Sequence, residues 1–244
     1  MPLTLITLPC LKDNYAYLIH DRDSGKTAVI DVPDATPVLA ALETRGWTLS
    51  DILITHHHGD HIDGVEALRA ATGARVIGAA ADAHRLPALD LAVAEGDVLH
   101  IGATEIRVIE VPGHTVGHLA YHAPQEKLVF TADSLMAMGC GRLFEGTPAQ
   151  MWRSLSKLAA LPAETLVCSG HEYTETNARF ALALEPGNSA LISRISRITA
   201  ARAKGGPTVP SLLSDELATN PFLRAHLPHL KAAIGREDAT DVET

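Results

Sequence analysis

The chain has 244 residues, of which 46% are hydrophobic and 20% charged, a balance that excludes an intrinsically disordered protein and suits one large domain or one domain with an appendage. A formal net charge of −9 leaves no broad positive surface for a phosphate backbone, which argues against nucleic acid as a partner. Three cysteines, Cys10, Cys140 and Cys168, are odd in number and far apart; they form neither a disulfide framework nor a CxxC zinc pair, so a reducing cytoplasm is the expected setting and space-filling their expected role.

The opening stretch MPLTLITLPCLKDNYAYLIH has no basic leader and is broken by Lys12 and Asp13. No window approaches the roughly 18 apolar residues of a membrane span, so neither a secretion signal nor a membrane partner is expected. The runs TLITL, YAYLI and TAVID read as short strands, separated by the turn-forming clusters KDN and DRDSGK. ATPVLAALETRG reads as a helix stopped by Gly46. DILIT is a buried-looking strand, followed by a polar loop over residues 55–64 and a short helix over 65–71. RVIGA is a further strand, and DVLHIGATEIRVIEVPG and LAYHAPQEKLVFTAD are hairpins. PAQMWRSLSKLAAL has its apolar residues at helical spacing, and TLVCSG reverts to strand. From Glu172 onward the texture is helical. NARFALALEPGN comes first, then SALISRISRITAARAKGG, where Leu191, Ile195 and Ile198 form an apolar stripe opposite Arg194 and Arg197, a face for packing on the main domain.

The loop after DILIT is THHHGDHIDG, which concentrates four of the chain's 13 histidines at the end of a buried strand. Imidazoles and carboxylates brought together there are costly unless paired or bound to metal. In an extended segment His56 and His58 point the same way while His57 faces elsewhere. Asp60 and His61, past a glycine, feed a second ion beside the first. Four neighbours do not complete two coordination spheres. His114 in VPGHTVGH, Asp133 in LVFTADS and His171 in VCSGHEY each follow an apolar run and supply the remainder. Imidazole nitrogen and carboxylate oxygen suit zinc first, with iron or manganese in a similar cage.

HxHxDH, a Gly-His-Thr-x-Gly-His segment, an Asp after a strand and a late Gly-His together resemble the metallo-β-lactamase superfamily. The segments GCGRLFEGT, CSGHEYT and PTVPSLLSDELATNPFLR further resemble bacterial glyoxalase II, the hydroxyacylglutathione hydrolase family. The resemblance implies an α/β fold, an αβ/βα sandwich with a C-terminal helical domain. Its parts would be a catalytic domain over residues 1–171 and a substrate-binding domain over residues 172–244. It implies two divalent metal ions. His56, His58 and His114 would bind the first, Asp60, His61 and His171 the second, and Asp133 would bridge them. The expected reaction is hydrolysis of S-(2-hydroxyacyl)glutathione, S-D-lactoylglutathione above all, to glutathione and D-lactate, as in methylglyoxal detoxification.

Two such ions share a water and lower its pKa towards about 7, so the expected nucleophile is the bridging hydroxide, with Asp60 as proton acceptor. The resemblance places Arg142 and Tyr173 around glutathione, with Phe144 where some members have tyrosine. His57 is at best a support for the ligands, and His118 is expected to make a structural hydrogen bond. Members usually continue into a segment whose Arg and Lys grip a glutathione carboxylate. The sequence in hand stops at GREDATDVET, so a raised KM with kcat less affected is expected. A monomer is expected. The alternatives are a glutathione persulfide dioxygenase with one iron on a subset of these ligands, another hydrolase of the same fold such as a lactonase or β-lactamase, and a metal-binding module without catalysis.

Overall fold

The computed structural model describes residues 3–244. The chain divides into two compact units, one comprising residues up to Glu110 together with Gly117–Thr131, the other Val111–Val116 and Ala132–Thr244.

The first unit is built on a mixed sheet of six strands in sequential order. Strands β1 (Leu3–Cys10) and β2 (Asn14–Asp21) form a hairpin, and β3 (Lys26–Ile30) continues it antiparallel. Helix α1 (Ala35–Arg45) then reverses the chain. Asp34 caps its start by accepting from Thr36 N at 2.8 Å, and Gly46 ends it in the left-handed conformation. This is the Ncap-to-C′ punctuation that leaves few helix-end groups unpaired. Strand β4 (Thr48–Leu53) lies parallel to β3, with Ile30 opposite Leu53. Beyond it come α2 (Gly59–Ile62), α3 (Val65–Thr72), β5 (Arg75–Ala79) and β6 (Leu91–Val93), the last two parallel to β4 and to each other. Val38, Leu42, Val65 and Leu68 of α1 and α3 pack on Leu18, Val29, Ile52 and Val76 of the sheet, each such side chain contributing about 1.5–3 kcal/mol by leaving water.

An antiparallel meander faces the other side of that sheet. It consists of β7 (Val98–Ile101), β8 (Thr104–Glu110), β9 (Leu119–Ala123) and β10 (Leu128–Ala132). Rings of Tyr17 and Phe130 meet at 5.7 Å between centroids, and the buried Tyr121 hydroxyl donates to Ile54 O at 2.7 Å. Burial pushes the Tyr121 phenol far above its ordinary pKa, so it stays a donor at any pH the protein meets. Leu119 N donates to Thr55 O at 2.8 Å. The second layer thereby holds the chain where it leaves β4.

The second unit contains the two-residue strands β11 (Leu135–Met136) and β12 (Gly139–Cys140), which pair with each other, and β13 (Leu166–Ser169) paired with β14 (Ser211–Leu212). Its helices are α4 (Pro148–Ala159), α5 (Thr174–Leu184), α6 (Ser189–Arg202), α7 (Leu213–Thr219) and α8 (Pro228–Ala233). A Thr147–Gln150 capping box and a proline in the first turn start α4. Leu191 and Ile198 pack with Ile195 on Ala178 and Ala181 of α5 and on Met138, so the stripe is a packing face, but one applied chiefly to the neighbouring helix rather than to the main domain.

Two further sequence expectations change. Arg194 is not opposite the stripe: it is buried and ion-paired with the buried Glu216, and Thr219 Oγ1 accepts from it at 2.6 Å. Residue 194 lies three positions after Leu191, hence on the same helix face, and a buried carboxylate makes that placement tolerable. The segment 55–64 is also not all loop, because Gly59–Ile62 forms one helical turn. The cysteines meet the expectation. None of the three is in a disulfide, and burial raises the thiol pKa to about 11 at Cys10, about 12 at Cys140 and higher still at Cys168, so none is a thiolate at neutral pH.

Candidate metal centre

Four of the seven predicted ligands lie in the first unit, at the end of β4. His56 and His61 are fully buried, and the Asp60 side chain is 45% exposed. His56 Nε2 and His58 Nδ1 converge to 3.1 Å, the rings of His56 and His61 are 4.2 Å apart, and His61 Nε2 lies 3.9 Å from Asp60 Oδ2. Gly64 fastens the turn: Val32 N donates to His61 O at 2.8 Å and Gly64 N to Val32 O at 2.9 Å. A Cβ at position 64 would stand 2.6 Å from Ala35 N, too close for any side chain.

Behind the histidines sits a residue that sequence reading misses. Asp31 is buried, directly follows β3 and has a left-handed φ of 57°, a conformation that Asp tolerates better than most residues. Its carboxylate accepts three bonds of 2.8 Å, from Thr55 N, Thr55 Oγ1 and His61 Nδ1. With its proton given to Asp31, the Thr55 hydroxyl accepts from His56 Nδ1 at 3.0 Å. One carboxylate therefore sets the tautomer of two histidines, directly for His61 and through Thr55 for His56. Both keep the proton on Nδ1 and turn the basic Nε2 outward, the state in which imidazole ligates a metal. Asp31, His56 and His61 each offer a donor atom within 4.8 Å of the others; in this arrangement the Asp31 oxygens are spent on support.

The remaining three ligands lie in the second unit and are brought together there. Asp133 Oδ2 is 3.5 Å from His114 Nε2 and 3.3 Å from His171 Nε2. The left-handed Ala132, φ 40°, turns the chain at Asp133, and Gly170 N donates to Ala132 O at 3.0 Å, which sets His171 beside it. His114 Nδ1 donates to Arg142 O at 2.7 Å, so a third histidine is held with its Nε2 available as a base. Gly141 must lack a side chain, since a Cβ there would fall 1.8 Å from Asp133 O and 2.9 Å from His114 Nδ1. Within each unit, an imidazole fixed by Nδ1 presents a basic Nε2 beside a carboxylate, the donor chemistry that divalent metal ions take.

The predicted substrate residues surround this second group. The Arg142 guanidinium lies over the Phe144 ring at 5.4 Å, Phe144 meets His114 edge to face at 5.3 Å, and Tyr173 stacks on His171 at 4.6 Å. Phe144 and Tyr173 remain 60% and 39% exposed. His57 faces Asp82 at 3.5 Å while its ring meets that of His58 edge on at 4.8 Å, and His118 makes a structural bond, Nδ1 to Leu119 O at 3.0 Å, while stacking on His56.

Comparison with known proteins gives a consistent picture. A family model described as the metallo-beta-lactamase superfamily matches residues 12–171, and one described as the hydroxyacylglutathione hydrolase C-terminus matches residues 172–244. The hydroxyacylglutathione hydrolase of a Cereibacter sphaeroides strain is 68% identical over 243 residues, which span 100% of this chain and 95% of that protein. Among solved structures, the B3 metallo-beta-lactamase BLEG-1 shares the fold at a TM-score of 0.70 and 23% identity, covering 90% of this chain and 99% of that one. TTHA1623, solved in a di-iron-bound form, is similar at a TM-score of 0.59 and 30% identity, covering 69% of this chain and 91% of that one.

Proposed function

Because the chain belongs to the hydroxyacylglutathione hydrolases of the metallo-beta-lactamase superfamily, we propose that it hydrolyses S-(2-hydroxyacyl)glutathione, S-D-lactoylglutathione in particular, to glutathione and a 2-hydroxy acid. Residues 1–171 would carry the ions and residues 172–244 help bind substrate. His56, His58 and His114 would hold one divalent ion and Asp60, His61 and His171 the other, with Asp133 serving both; zinc suits this donor set best. The observation that carries the reading is the common fixing of Nδ1–H at His56, His61 and His114. When bound, the ions supply Lewis acidity, lowering the pKa of water and polarising a thioester carbonyl.

The chain's own groups supply the remainder. Asp31, Thr55 and the Arg142 carbonyl hold the imidazoles in register, so little reorganisation is needed when charge develops on the substrate. Asp60 accepts the proton released as water attacks. The Arg142 guanidinium offsets the protein's overall negative charge and draws a glutathione carboxylate towards Phe144 and Tyr173. Phe144 contributes ring surface without a hydroxyl. The leaving thiolate is stable enough to depart without a dedicated acid. Among the described residues no helix is long and apolar enough to cross a membrane; buried thiols outside any disulfide support a cytoplasmic setting, and we take the working unit to be a monomer.

The test follows free thiol released from S-D-lactoylglutathione. Hydrolysis abolished by a chelator and restored by zinc is expected. Oxygen uptake with glutathione persulfide in place of thiol release would replace this reading with the dioxygenase one.

A further inference from the structure

The KDN cluster between the first two strands reads as a turn, yet its asparagine does more than turn the chain. Asn14 opens β2 opposite Cys10 and is buried. Its Nδ2 donates to Asp60 twice, to Oδ2 at 3.0 Å and to the main-chain O at 3.0 Å. Both partners are acceptors, so the amide is fixed with its nitrogen towards Asp60, and the two bonds use both of its protons. The two bonds tie both the Asp60 carboxylate and its main-chain carbonyl to one residue of β2.

We propose that Asn14 is a positioning residue for the metal centre, acting through Asp60. The inference rests on the metallo-hydrolase reading, in which Asp60 binds the second ion. Asp60 needs this support more than its neighbours do: its side chain is partly exposed, whereas His56 and His61 are buried and braced by Thr55 and Asp31. A half-exposed carboxylate on a single helical turn samples other rotamers unless something holds it. A carboxylate ligand relies on hydrogen-bonding partners of this kind, whose removal typically lowers metal affinity 10–100-fold.

Leucine has nearly the shape of asparagine and no donor, so Asn14→Leu removes the grip while filling the space, and Asn14→Gln keeps the amide on a longer arm. Zinc alone is the probe, titrated into the metal-free protein against a chromophoric chelator, with the thermal midpoint of the metal-free form measured alongside. Wild type is expected to take two ions. Asn14→Leu should bind the first with unchanged affinity and the second roughly 10–100-fold more weakly, with the midpoint retained, and Asn14→Gln should recover part of the loss. Unchanged affinity for both ions in Asn14→Leu overturns the inference alone. A lowered midpoint with both affinities reduced equally also overturns it, because that is the behaviour of a purely structural residue. A wild-type protein that binds no zinc removes the metallo-hydrolase reading and this inference with it.

Discussion

Replacing Asp31 with asparagine changes one oxygen to an amide and leaves shape and left-handed tolerance intact. All three bonds to Asp31 come from donors, namely Thr55 N, Thr55 Oγ1 and His61 Nδ1, so an NH2 group meets a donor whichever way the amide is turned. The lowest-cost arrangement leaves the amide oxygen on Thr55 N, which has no other state, and sets the NH2 against Thr55 Oγ1 and His61 Nδ1. The hydroxyl then rotates to accept, and His61 moves its proton from Nδ1 to Nε2. Converting charge-assisted bonds to neutral ones costs about 1 kcal/mol apiece, or about 3 kcal/mol of stability for the three. The larger effect is chemical. An Nε2 that carries a proton has no lone pair for a metal, so zinc affinity should fall at least 10–100-fold, equivalent to about 1.4–2.8 kcal/mol, with kcat falling in step. Nitrogen-detected NMR of the histidine rings reports the tautomer directly, and zinc titration reports the affinity. If Asp31→Asn retains the Nδ1–H form of His61 and wild-type zinc affinity, the carboxylate does not set the ligand state and the argument from tautomers is wrong.

Two further outcomes follow from other residues. Gly141→Ala must displace Asp133 or the 140–142 segment by more than an ångström to relieve the 1.8 Å approach; misplacement on that scale costs about 10²-fold in rate, so kcat should collapse while the secondary structure seen by circular dichroism stays intact, and a near-wild-type rate would show that this approach relaxes freely. His122 is buried, and its pKa is lowered by desolvation first and by the Arg107 charge second, while His20 is lowered mainly by desolvation. Groups with a depressed folded pKa stabilise fully above the unfolded value near 6.5 and lose that contribution as pH falls below it. The thermal midpoint should therefore drop from pH 7 to pH 5, and His122→Gln should make that slope shallower; an unchanged slope would assign the pH dependence to other groups.

The sequence announces the ligands because each sits where an apolar run ends. His114, Asp133 and His171 are legible for that reason, as are the strands before them, and THHHGDH is too dense in donors to be a plain turn. What stays hidden depends on distant pairing. Asp31 looks like the end of TAVID until β3 is seen lying parallel to β4, which puts Thr55 and His61 beside it. Asn14 is 46 residues from Asp60, and nothing near it hints at a partner. Arg194 carries a charge, the usual mark of a solvent face, and only Glu216, 22 residues further on, makes its burial tolerable. The short strand β14 is too brief for any periodicity to declare. Local pattern thus reveals the donors, whereas the residues that orient them emerge only from tertiary contact.

The side-by-side run of β3 and β4 in the same direction has its own consequence. In a hairpin, where one strand finishes the next begins, so two carboxyl ends never share a rim. Here the connection through α1 is long and slow to form, but it delivers Asp31 and Thr55 to a common ledge, with Asp31 N on Leu53 O. The brace and the groups it braces leave the sheet together. The frame that aims the outer donors therefore belongs to the sheet itself.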